Sequence, residues 1–137
     1  GLIDEEYFSD SKYQRQIDAL SDLKLTSFQL TIGVLNSFSA AMYLEVLDKN
    51  NHLNKIRNTL NNIAADNPTS HYYPHITLGL YKDNFDTNIV TKDLLTLRSR
   101  IKLPTSPILV DELVFCHYET KELQGPFKVV KRLKFLD

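Results

Sequence analysis

At 137 residues, 42% of them hydrophobic, the chain can bury one packed core and reads as a single domain over residues 1–137. Sixteen basic against 17 acidic residues leave a formal net charge of −1, which argues against a global electrostatic pull on nucleic acid. No stretch reaches the apolar length of a membrane span, the acidic Asp4-Glu5-Glu6 is unlike a signal peptide, and the single cysteine, Cys116, allows no internal disulfide. A reducing, cytoplasmic setting away from membranes is the expectation.

Residues 10–23 predict a helix, with Tyr13, Ile17 and Leu20 at helical spacing and Ser9 or Asp10 as cap. Residues 27–35 alternate as a strand, with Phe28, Leu30 and Ile32 on one face, and residues 40–47 form a strand that is apolar on both faces. Residues 51–65 give an amphipathic helix: Leu53, Ile56, Leu60 and Ile63 form its stripe, and Asn50 or Asn51 caps it. Asp66 to Ser70 is a loop leading into a strand at Pro74–Leu80. Residues 87–101 predict a third helix with Val90, Leu94, Leu97 and Ile101 inward. Pro104 and Pro107 precede a strand at Ile108–Cys116, in which Cys116 reads as a buried structural thiol. Gln124-Gly125-Pro126 turns into a last strand where Phe127, Val129, Leu133 and Phe135 share a face. Helices lying between strand pairs favour an α+β domain. The pattern strand–helix–strand–strand occurs twice, its first strand missing from the first copy.

The chemistry concentrates at Pro74-His75-Ile76-Thr77-Leu78. Strand alternation projects His75 and Thr77 side by side, with Ile76, Leu78 and Leu80 on the opposite face. An imidazole exchanges protons near neutral pH, and a neighbouring hydroxyl can bond a phosphate oxygen. A His-x-Thr is short, and in most proteins it is an ordinary polar strand face, so its context decides. Tyr72, Tyr73 and Tyr81 flank it; aromatic rings beside a nucleotide site can stack on bases, and tyrosine at a strand edge is equally ordinary packing. Tyr73 and Tyr81 are the candidate substrate-lining residues. His71 reads as a loop residue, His52 as an exposed helix start, and His117 with Tyr118 as a strand end. Lys128, Lys131, Arg132 and Lys134 make the last strand basic, either as a solvated face or as a phosphate-steering rim. No glycine-rich phosphate loop and no Cys/His cluster of zinc-ligand spacing is present.

Pro74 to Leu78 resembles the second His-x-Thr/Ser motif of the 2H phosphoesterase superfamily, which includes RNA 2′,3′-cyclic phosphodiesterases, also called 2′-5′ RNA ligases. The resemblance extends upstream through Phe28–Phe38, Met42–Val46 and the helix Leu53–Ile63, and downstream through residues 87–101, 107–117 and 126–136. It implies a two-lobed fold of antiparallel sheets and packed helices. It also implies metal-independent cleavage of RNA ends, 2′,3′-cyclic phosphates or 2′-5′ linkages, with His75 as acid/base, Thr77 as phosphate contact, no cofactor, and RNA or a nucleotide phosphodiester as partner. The first motif of the family has no counterpart here: Gln29-Leu30-Thr31 mimics it with glutamine for histidine but follows the first helix instead of preceding it. The expectation is therefore an N-terminally incomplete domain whose first strands are missing, with a strand-swapped dimer or a separate N-terminal segment completing the sheet. A nucleotide- or RNA-binding module that kept the fold without catalysis is the alternative, and a structural domain with an accidental His-x-Thr is the third reading.

Overall fold

The computed structural model describes residues 10–65, 72–117 and 127–136. The order of elements is α1 (Asp10–Asp22), β1 (Phe28–Ser37), β2 (Ala41–Leu47), α2 (His52–Asn61), β3 (His75–Leu80), α3 (Thr87–Arg100), β4 (Ile108–Val110), β5 (Glu112–His117) and β6 (Lys128–Lys134). The strands fall into a four-stranded sheet of order β3-β2-β1-β4 and a two-stranded sheet β5-β6. The pairs β1/β2, β2/β3 and β5/β6 are all antiparallel, so the α+β expectation holds. The chain divides into two units, one gathering α1, most of α2, β5 and β6, the other gathering most of β1 with β2, β3 and α3.

In the first unit, the helical spacing of α1 buries Ile17 and Leu20. Gln16 is buried beside them, and its Nε2 donates to the Leu60 carbonyl at 3.1 Å, which satisfies a polar group that would otherwise be costly to bury. Tyr13 meets the Phe115 ring edge-on at 5.5 Å, and Phe28 stacks on Phe135 at 5.8 Å. Three expectations fail here. The strand Ile108–Cys116 breaks at Asp111 into β4 and β5, which join different sheets; the Asp111 carbonyl accepts from the Phe135 amide at 2.8 Å. On β6, Phe127 and Val129 do not share the face of Leu133 and Phe135. The β5/β6 register moves one residue on β5, from Phe115 to Cys116, while it moves from Lys131 to Val129 on β6. That extra residue reverses the alternation. Phe127 is left 64% exposed while Phe135 is buried, and Cys116 is exposed, not buried.

In the second unit, β1 carries a bulge. Ile32 opposes Val46 and Leu35 opposes Leu44, so Gly33 and Val34 together oppose Glu45. The bulge brings Leu35 inward after Phe28 and Leu30, where simple alternation would have turned it out. The backbone stays in the strand through Gly33. Leu94 of α3 is buried, Ile101 at its end is 40% exposed, and Arg98 donates from Nε to the Leu35 carbonyl at 2.6 Å. The start of α2 is held by Asp48, whose carboxylate accepts from the Leu53 amide at 2.7 Å and lies 3.3 Å from His52 Nδ1. Asp48 thus supplies a cap from further back in the chain. Burial pushes the Asp48 carboxyl up, but hydrogen bonds from Leu53 and His52 outweigh it and hold the group below its ordinary range. The sequence readings at Gly1–Ser9, Asp66–His71, Tyr118 and Gln124–Pro126 lie outside the described residues.

Candidate functional site

β3 enters the sheet beside β2 in the register Glu45–His75, Leu44–Ile76 and Tyr43–Thr77, then, after a shift, Met42–Gly79 and Ala41–Leu80. Directly opposed residues of an antiparallel pair share a face. His75 and Thr77 therefore lie with Tyr43 and Glu45, and Asn36 joins them because it opposes Tyr43 on β1. Leu78 is the extra residue of the shift. It carries Leu80 onto the face of His75 and Thr77, so the expected grouping of Leu80 with Ile76 fails.

One hydrogen bond and two ring contacts position the imidazole of His75. Its Nδ1 lies 2.6 Å from the Tyr73 carbonyl oxygen. A carbonyl only accepts, so Nδ1 carries the hydrogen, and in the neutral ring the lone pair falls on Nε2. The ring also stands edge-on to Phe38 at 5.0 Å and to Tyr43 at 5.5 Å. Phe38 stacks on Tyr43 with centroids 4.0 Å apart, and Tyr73 meets Tyr43 edge-on at 6.3 Å. Tyr43 is buried at the centre of this cluster, whereas His75, Thr77 and Tyr73 are exposed. Burial first, then Tyr73 and Glu45, push the Tyr43 hydroxyl above the ordinary tyrosine range, against a partial pull downward from Arg98. The hydroxyl stays neutral at physiological pH.

Glu45 was not singled out by the sequence reading. Its Oε1 accepts from Asn36 Nδ2 at 2.9 Å. Gly33 makes room for it: a Cβ there would lie 2.9 Å from Glu45 Cβ and 3.2 Å from Oε2. The available signal was an acid inside the otherwise apolar run Ala41-Met42-Tyr43-Leu44-Glu45-Val46-Leu47.

The candidate residues separate. Tyr73 lies beside His75 through its carbonyl and through the Tyr43 ring. Tyr81 does not join them: it follows Leu80, so register turns it to the other face, where its hydroxyl bonds Ser37 Oγ at 2.6 Å and its ring meets Phe85 edge-on at 6.0 Å. His52 is half-buried against Asp48 rather than exposed. His117 ends β5 and is exposed. On the basic β6, Arg132 pairs with Glu112. Among the described residues, no group of three or more His, Cys, Asp or Glu side chains could hold a metal ion, and no helix is long and apolar enough to cross a membrane.

Antiparallel strand pairs with helices between them make this an α+β protein, with histidine and threonine presented on one face of β3. The sequence model of the 2′-5′ RNA ligase superfamily matches residues 6–122. The chain belongs to that superfamily, within the 2H phosphoesterases. No curated protein and no solved structure matches it.

Proposed function

We propose that this domain is a phosphodiesterase acting on RNA ends, 2′,3′-cyclic phosphates or 2′-5′ linkages, with His75 as acid/base and Thr77 as phosphate contact. The observation that carries this reading is the shared face of His75 and Thr77, with the His75 Nδ1 hydrogen engaged by the Tyr73 carbonyl. That bond fixes the tautomer, so Nε2 is the atom that takes a proton from an attacking oxygen or, once charged, returns one to a leaving oxygen. The Thr77 hydroxyl donates to a non-bridging phosphate oxygen. Family membership supports the same chemistry and implies that it runs without a metal. RNA or a nucleotide diester is the partner this reading assigns.

Turnover of a small panel of 2′,3′-cyclic nucleotides and 2′-5′ oligonucleotides in EDTA tests the proposal. His75→Ala lowers kcat/KM by about 10²–10⁴-fold, the usual contribution of one acid/base group. Thr77→Ala costs less, about 1.5–3 kcal/mol for one hydrogen bond to a charged partner. Unchanged turnover in His75→Ala, or activity abolished by EDTA, overturns the mechanism. A second reading keeps the fold without the catalysis. It makes the domain a nucleotide- or RNA-binding module, and binding of panel members without turnover is its signature.

A further inference from the structure

We infer that Glu45 is a specificity-determining residue of this site, disfavouring dianionic phosphomonoesters while admitting monoanionic diesters. The inference rests on the phosphodiesterase reading and adds the charge class that the site accepts and the means by which product leaves.

Three observations converge on Glu45. It is the direct cross-strand partner of His75, on the same face, so their Cβ atoms are about 4.5–5.5 Å apart. Its carboxylate is held, not free to swing away, by the Asn36 amide at 2.9 Å. The glycine that opposes it in the β1 bulge leaves the space it occupies, and any larger residue there would press on its Cβ and Oε2. With Tyr43 kept neutral by burial, Glu45 supplies the negative charge of this face among the described residues.

A carboxylate beside a phosphate site is an odd choice for affinity and a useful one for selection. Hydrolysis of a phosphodiester adds water across phosphorus: a P–O bond forms to the water oxygen, the bond to the leaving sugar oxygen breaks, and the proton passes to that oxygen. The substrate carries one negative charge. The product is a monoester with a second ionisation near pH 6, so at neutral pH it carries nearly two. A fixed anion a few ångströms away opposes that second charge more than the first, and it does so most strongly where the site is partly shielded from solvent. Glu45 thereby weakens product relative to substrate, and terminal phosphomonoesters of RNA are poor ligands for the same reason.

The test uses two probes that differ by one charge: a 2′-deoxynucleoside 3′-monophosphate and its methyl ester, which lacks a 2′-hydroxyl and cannot cyclise. Their Kd values are measured by calorimetry or chemical-shift titration at pH 8 on the wild type, Glu45→Gln and Glu45→Asp. Glu45→Gln keeps the acceptor oxygen that Asn36 bonds and removes only the charge, whereas Glu45→Asp keeps the charge and shortens the side chain. The expected result is that Glu45→Gln tightens the monoester about tenfold, the scale of one partly screened unit charge. The diester shifts by less than about twofold, and Glu45→Asp keeps the wild-type preference. If both probes bind but Glu45→Gln leaves their ratio unchanged, or Glu45→Asp alters it as much as Glu45→Gln, the inference fails while the phosphodiesterase reading stands. If neither probe binds the wild type, the phosphodiesterase reading fails and takes this inference with it.

Discussion

Replacing Asp48 by alanine removes the group that ties the end of β2 to the start of α2. The side chain is only 7% exposed, and its Oδ2 accepts from the Leu53 amide at 2.7 Å. A hydrogen bond to a charged acceptor contributes about 1.5–3 kcal/mol, and helix caps lost to alanine cost about 1 kcal/mol in most hosts. The His52 contact at 3.3 Å adds little, because that ring is 32% exposed. A loss of about 2 kcal/mol follows, and with a urea dependence of about 1.5 kcal/mol per molar it moves the unfolding midpoint down by about 1.3 M. The pH dependence has a definite sign. Hydrogen bonding holds the folded Asp48 carboxyl below its unfolded value of 3.8, so its stabilisation is fully present above that value and is lost as pH falls through the folded one. The stability gap between wild type and Asp48→Asn is therefore flat from neutral pH to about 5 and narrows below about 4. A midpoint shift under about 0.3 M for Asp48→Ala, or a gap to Asp48→Asn unchanged at pH 3, would refute the assignment of Asp48 as the cap.

Leu35→Ala empties a position only 1% exposed and costs about 3–4 kcal/mol, read as a drop in urea midpoint. Gly33→Ala forces its new methyl against Glu45 at 2.9 Å; it destabilises by about 1–3 kcal/mol and, in the paired-probe titration, moves the monoester in the same direction as Glu45→Gln. Cys116 is exposed, so one equivalent of a thiol reagent reacts with the native protein without denaturant; labelling only after unfolding would restore the buried reading. Arg132→Ala breaks an ion pair with an exposed arginine and shifts stability by less than about 1 kcal/mol.

Periodicity made α1, α2 and the extents of β1 and β3 legible, and a run apolar on both faces marked β2. It failed where an extra residue enters a strand. Nothing in Phe127-Lys128-Val129-Val130-Lys131 or Thr77-Leu78-Gly79-Leu80 marks a bulge, since apolar residues stand on both sides of each shift and either parity looks acceptable. The break between β4 and β5 was better signalled: Asp111-Glu112 interrupts the apolar run, and an acid pair in mid-strand argues for an end. Of the site, His75 and Thr77 were readable as a motif and their common face as strand geometry. Glu45 and Asn36 were not, because their nearness to His75 exists only across the ladder of three strands. Tyr81 is near His75 in sequence alone, and a one-residue shift at Leu78 is enough to separate the two.

That shift makes Leu78 the slack residue of β3. Everything before Leu78 keeps its facing when the residues after it are moved, since the pairs Glu45–His75 and Tyr43–Thr77 lie upstream of the irregularity. Deleting Leu78 alone would leave Gly79 opposite Met42 and Leu80 opposite Ala41, so Leu80 would stay on the side of His75 and Tyr81 beside Ser37. The unpaired residue thus absorbs a one-residue loss of strand length, with the His-x-Thr pair on one side of it and the surface on the other both keeping their facing.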